Sequence, residues 1–121
     1  MISLDREIQQ ALWDDPEVSS AVGRKVFRYS VGRSVSQNND YPYVRIVEVD
    51  NSDSDYEDDQ PSTSHIFMQI DVWDVNPPDD LLTSINKVMV KKLGFTRANV
   101  RTSYDMDKSE IRKIMRYQIK T

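Results

Sequence analysis

His65-Ile66-Phe67-Met68-Gln69-Ile70-Asp71-Val72-Trp73-Asp74 alternates more strictly than any other part of the chain. Ile66, Met68, Ile70 and Val72 recur at every second position, the period of a β-strand, and so project to one face. His65, Phe67, Gln69, Asp71 and Trp73 project to the other. A strand that is fully apolar on one side needs a layer packed against that side. The aromatic pair Phe67 and Trp73 implies that the second face is covered too, by loops or by a neighbouring subunit.

Upstream, Pro42 opens a second strand, Tyr43 to Val49, rich in β-branched residues. Lys25 to Tyr29 reads as a short first strand, and the polar, aperiodic stretch Ser30 to Asp40 as a loop. The chain starts with a helix: Ser3 as cap, Asp5 and Glu7 in the first turn, then Leu4, Ile8, Ala11 and Leu12 on one face. Asp15-Pro16-Glu17 restarts it, with Pro16 at a first helical position, and Gly23 stops it.

Downstream, Asn76-Pro77-Pro78 breaks the strand. A helix follows from Asp79 to Gly94, with Leu81, Leu82, Ile85, Val88, Met89 and Leu93 inward and Lys87, Lys91 and Lys92 outward. Val100 to Tyr104 and Ile111 to Ile119 are the last two strands, joined through Asp105 to Glu110. The expected fold is α+β: an antiparallel or mixed sheet of four to five strands with two main helices packed on it.

At 121 residues the chain suits one domain with its own core. It has no cysteine, which removes disulfides, thiolate metal sites and cysteine nucleophiles and favours a reducing compartment. No secretory signal is read at the N-terminus, and no apolar run nears the roughly 20 residues that span a bilayer. A pI near 4.9 argues against nucleic-acid binding as the main role.

The charge is divided by position. Asp50 to Asp80 holds ten carboxylates and no lysine or arginine, whereas Leu81 to Thr121 holds ten basic residues and three acidic ones. Met1 to Val49 is nearly balanced, so the three segments carry −10, +7 and −1 within the total of −4. A subunit with an acidic and a basic region can set one against the other in a neighbouring copy, which favours head-to-tail rings or stacks. The run Asp50 to Ser64 has too little apolar material to pack and is expected as a mobile acidic loop.

The motifs for chemistry are weak. Asp53, Asp55 and Glu57 have the spacing of the first ligands of a calcium loop, but Asp58 stands where glycine is needed and Ser64 where glutamate is needed. His65 is the only histidine, no Gly-x-Ser-x-Gly elbow exists, and the three glycines form no phosphate loop. The reading is therefore of a non-enzyme with no metal and no cofactor. The basic residues Arg112, Arg116 and Lys120 of the last strand suit a solvated face, a nucleic-acid contact or a neighbour's carboxylates.

The leading helix with Asp14-Asp15-Pro16 through Val22-Gly23-Arg24-Lys25-Val26-Phe27, then Tyr41-Pro42-Tyr43-Val44, then Asp71-Val72-Trp73-Asp74 before a helix, then a closing strand with Tyr117, form an ordered pattern. In this order they resemble the tail-completion, or tail-terminator, family of long-tailed bacteriophages, over roughly Leu4 to Ile119. The resemblance implies one tail-terminator-like domain over residues 1–121, non-catalytic and resident in the virion neck after assembly in the host cytoplasm. It implies a ring, typically of six copies, that caps the tail tube and faces the head connector or head-closure protein. DNA would pass through without specific binding, and no membrane is involved. On this reading Asp53, Asp55, Glu57, Asp58 and Asp59 meet a neighbour's basic strand (Arg112, Arg116, Lys120) or line the lumen, while Phe67 and Trp73 supply apolar contact. The competing readings are a head-closure or connector-adaptor protein of the neck, and a small cellular adaptor that binds a basic protein through its acidic loop.

Overall fold

A computed structural model describes residues 4–57 and 60–120, with side chains outside 53–63. Ten elements follow one another. They are α1 (Asp5–Asp14), α2 (Pro16–Val22), β1 (Val26–Arg28), α3 (Arg33–Gln37), β2 (Tyr43–Glu57), β3 (Gln60–Asp74), α4 (Asp79–Lys87), a π-helical turn Val88–Lys92 that prolongs α4, β4 (Thr96–Asp105) and β5 (Glu110–Lys120). The strands make one five-stranded sheet in the order β1-β2-β3-β5-β4. Only the β1–β2 pair is parallel, so the sheet is mixed and the fold is α+β as expected.

The strict alternation of β3 has the predicted effect. Ile66, Met68, Ile70 and Val72 are all fully buried, in one cluster with Val44 and Ile46 of β2 and Met115 and Tyr117 of β5. The helices supply the other half of that cluster through Ile8, Leu12, Val18, Val22, Leu81, Ile85, Val88 and Met89. Burying one such side chain stabilises the fold by about 1.5–3 kcal/mol. Asp15 caps α2 by accepting from the Val18 N–H at 3.0 Å, with Pro16 at the first turn. Lys87, Lys91 and Lys92 face solvent. The proposed Ser3 cap lies outside the described residues; the residue before α1 is Leu4, which makes no side-chain cap.

Three stretches differ from the sequence reading. The polar segment Ser30 to Asp40 is not all loop: it contains α3, a single short helix with no buried residue. β4 starts at Thr96, four residues before the expected Val100, and continues to Asp105. Residues 50–57 and 60–64, read as part of an excursion, are paired instead. β2 and β3 stay paired from Asp50↔Phe67 through Asp53↔Ser64 to Glu57↔Gln60, after a register shift between Glu48 and Asp50. Neither strand needs apolar side chains to continue here, because the backbone hydrogen bonds of the hairpin are enough to extend it.

Pairing between β3 and β5 begins only at His65↔Lys120. Residues 60–64 of β3 therefore pair with β2 alone, forming a two-stranded arm about 17 Å long beyond the sheet. At the opposite end of the sheet lies the β4–β5 turn, Met106 to Ser109.

Candidate interface on the open sheet face

The helices that build the core pack on one side of the sheet, and the other side is where the second set of β3 residues points. Its centre is Asp71, a carboxylate with no exposure. Arg45 of β2 donates to Asp71 Oδ2 from Nη2 at 2.7 Å and from Nε at 3.0 Å. Arg112 of β5 donates to Oδ1 from Nη2 at 3.2 Å and from Nε at 3.3 Å. Gln69 Nε2 adds contacts at 3.0 and 3.2 Å. A buried anion is tolerated only with such compensation. The register explains the convergence, because Arg45 is the cross-strand partner of Asp71 and Arg112 that of Trp73, two residues on and next on the same face.

Trp73 sits beside this triad. Both guanidinium carbons lie 5.3 Å from its ring centre, within cation–π range. Tyr43, its cross-strand partner, stacks on it at 5.3 Å, and Tyr41 stacks on Tyr43 at 5.6 Å. The Tyr41–Pro42 bond is cis. The Tyr41 hydroxyl donates to Glu110 Oε2 at 2.6 Å. Burial, and then that hydrogen bond and the negative charge of Glu110, push the Tyr41 pKa up. Burial first and the Glu110 charge second push Tyr43 to about 12. Both hydroxyls are thus neutral donors at physiological pH.

At one end the second face, expected to be covered by loops or by a neighbouring subunit, is flanked by residues of the β1–α3 connection and of α3. Tyr29, Ser30, Val31 and Ser36 close a recess of about 300 Å³ against Trp73, Tyr43 and Arg45. Phe67 lies farther along β3, half-buried, with the His65 ring at 4.5 Å.

The candidate residues therefore separate into groups. Trp73 and Arg112 come together; Arg116 lies four residues farther along β5, donating from Nε to Gln69 Oε1 at 3.2 Å. Arg112 is engaged by Asp71 of its own chain, which reduces its part in pairing with a neighbour's carboxylates. Lys120 ends β5 at the base of the arm, opposite His65. Asp53, Asp55 and Glu57 lie on the arm, where side chains are outside the described residues; Asp58 and Asp59 are outside them altogether.

β4 was missed by the sequence reading as a surface of its own. All ten of its residues are exposed, including Arg97, Val100, Arg101 and Tyr104. Met106, in the turn that follows, is 83% exposed. The available signal is negative: Thr96 to Asp105 has no large apolar residue at successive alternate positions, so neither face of the strand asks for burial.

Compared with known families, the chain matches the model described as Tail completion protein gp17 over residues 6–105. That is 100 of 121 residues, from α1 to the end of β4. The pattern read from the sequence extended to Ile119, so its closing strand with Tyr117 lies beyond the matched region. No curated protein sequence matches the chain.

Proposed function

Because the chain belongs to the Tail completion protein gp17 family of phage tail completion proteins, we propose that it forms a ring, typically of six copies, that terminates the tail tube in the virion neck and joins it to the head connector. The role is structural and non-catalytic. The observation that supports a ring is the placement of charge across the sheet. β2 carries Glu48, Asp50, Asp53, Asp55 and Glu57 against Arg45 alone, while β4 and β5 on the other side carry Arg97, Arg101, Arg112, Lys113, Arg116 and Lys120 against Asp105 and Glu110. A subunit with unlike sides suits a cyclic interface, in which each copy uses two different surfaces. The acidic arm suits a lumen too, where like charge would let DNA slide past without adhering.

Exposed ion pairs are worth only about 0–1 kcal/mol each, so they set register more than affinity. The apolar share falls to Trp73 and Phe67. Trp73→Ala is expected to weaken assembly, and a variant that assembles like the parent would exclude that part for Trp73.

The test is native mass spectrometry of the purified protein at low and high salt, alone and after addition of purified tail tubes. A closed oligomer that loosens as salt rises supports the reading. A single subunit under every condition, tubes included, overturns it. Binding to filled heads in place of tubes would assign the chain to head closure instead.

A further inference from the structure

We propose that β4 is a docking edge for β2 of a second copy, so that the sheet of one subunit continues into the next. The proposal rests on the ring reading above and specifies its contact. Among the described residues β4 is the last strand of the sheet and pairs only with β5, so its outer edge faces away from the sheet. It is ten residues long and exposed throughout. A long exposed edge is a template for pairing unless something directs what may pair.

Charge supplies the direction. A second β4 laid antiparallel against the first, centred near Asn99, would bring Arg97 of each copy near Arg101 of the other, and like charges across a ladder are destabilising. The outer side of β2 has the opposite character. Its pairing with β1 ends at Ile46, and from there the strand carries Glu48, Asp50, Asp53, Asp55 and Glu57. Unlike edges attract and like edges repel, which selects head-to-tail contact over a two-fold dimer. The strand directions agree as well. Three successive antiparallel pairings make β2 antiparallel to β4 within one sheet. A neighbour produced by rotation about an axis inclined to the strands, and so shifted along them, would offer the part of its β2 beyond Ile46 antiparallel to β4. Val100 and Tyr104, 40% and 55% exposed, would be covered by that continuation.

Two experiments test it. The chain has no cysteine, so Ser52→Cys can be combined in turn with Ala98→Cys, Val100→Cys, Thr102→Cys and Tyr104→Cys. Within one chain β2 and β4 are three strand spacings apart, about 14 Å, and a disulfide needs Cα atoms within about 7 Å. Any disulfide is therefore between chains. One register is expected to give a ladder on oxidation that ends at the closed ring. In the second experiment, R97E/R101E and D50K/D53K are made as separate proteins. Each alone is expected to lose oligomer at least tenfold, and an equal mixture to restore it with the two variants in equal number. If the wild type forms rings but no cysteine pair cross-links and the reversed charges leave assembly unchanged, edge pairing is wrong while the ring stands. If the wild type remains a single subunit both free and on purified tail tubes, the ring reading fails, and this inference with it.

Discussion

Tyr43 and Tyr117 hold their protons more tightly in the folded chain than an exposed tyrosine does, and this makes stability depend on alkaline pH. Burial is the main cause for both, raising each to about 12 from 10.0; at Tyr43 the Glu110 charge adds to it, and at Tyr117 Arg97 opposes it. The folded value lies above the unfolded one, so the stabilisation is fully present below pH about 10 and is lost as pH rises towards about 12. Thermal melts followed by circular dichroism should be flat up to pH 10 and fall steeply above it. In the double variant Tyr43→Phe, Tyr117→Phe the fall should be shallower. The same variant should lose about 1 kcal/mol at neutral pH, because Tyr117 donates to Asn86 Oδ1 at 2.9 Å. An equally steep fall in the variant would move the pH dependence to other groups. The buried carboxylate Asp71 shows why residue-level chemistry is hard to read from sequence. Its partners Arg45 and Arg112 are 26 and 41 residues away along the chain, and only the sheet order makes them neighbours.

Among the elements, the end of α2 depends on one backbone position. Gly23 has φ 61° and ψ −124°, a region that side-chain-bearing residues avoid, and a Cβ there would touch nothing within 4 Å. Gly23→Ala should therefore destabilise through the backbone alone, by about 1–3 kcal/mol, measurable as a lower urea midpoint with unchanged slope. An unchanged midpoint would mean that the connection into β1 relaxes freely. Gly23 was legible as a stop, as were Asp15-Pro16 as a start and β3 as the central strand, because each has a local signal. α3 had none: Arg33–Gln37 buries nothing and has no apolar period. The paired backbone of 50–57 and 60–64 was equally hidden, since it is set by strand pairing and not by an alternating side-chain pattern. The edge position of β4 was hidden for a third reason. It follows from strand order, with β5 returning between β3 and β4, and no local window contains that information.

At the scale of the whole molecule, the proposed assembly would use regions separate from those that carry the fold. The core cluster, among the described residues, takes nothing from the arm. Replacing residues 54–63 by Asn-Gly would retain the Asp53↔Ser64 pair and close it with a two-residue turn. This shortening should change stability by less than about 1 kcal/mol while abolishing the oligomer, as read by melting curves and native mass spectrometry. A large drop in melting temperature would make the arm a part of the fold. The arm also leaves the sheet at the end opposite to the β4–β5 turn. Repetition of one orientation around a closed circle sends every arm to one rim and every turn to the other. The two mouths of such a circle are chemically different, as the two sides of a one-way valve are. Once one mouth is seated on a growing cylinder, the other does not reproduce the surface just covered. In the proposed ring, growth would then end because the last added piece has no copy of the site it occupied, with no separate device needed to measure length.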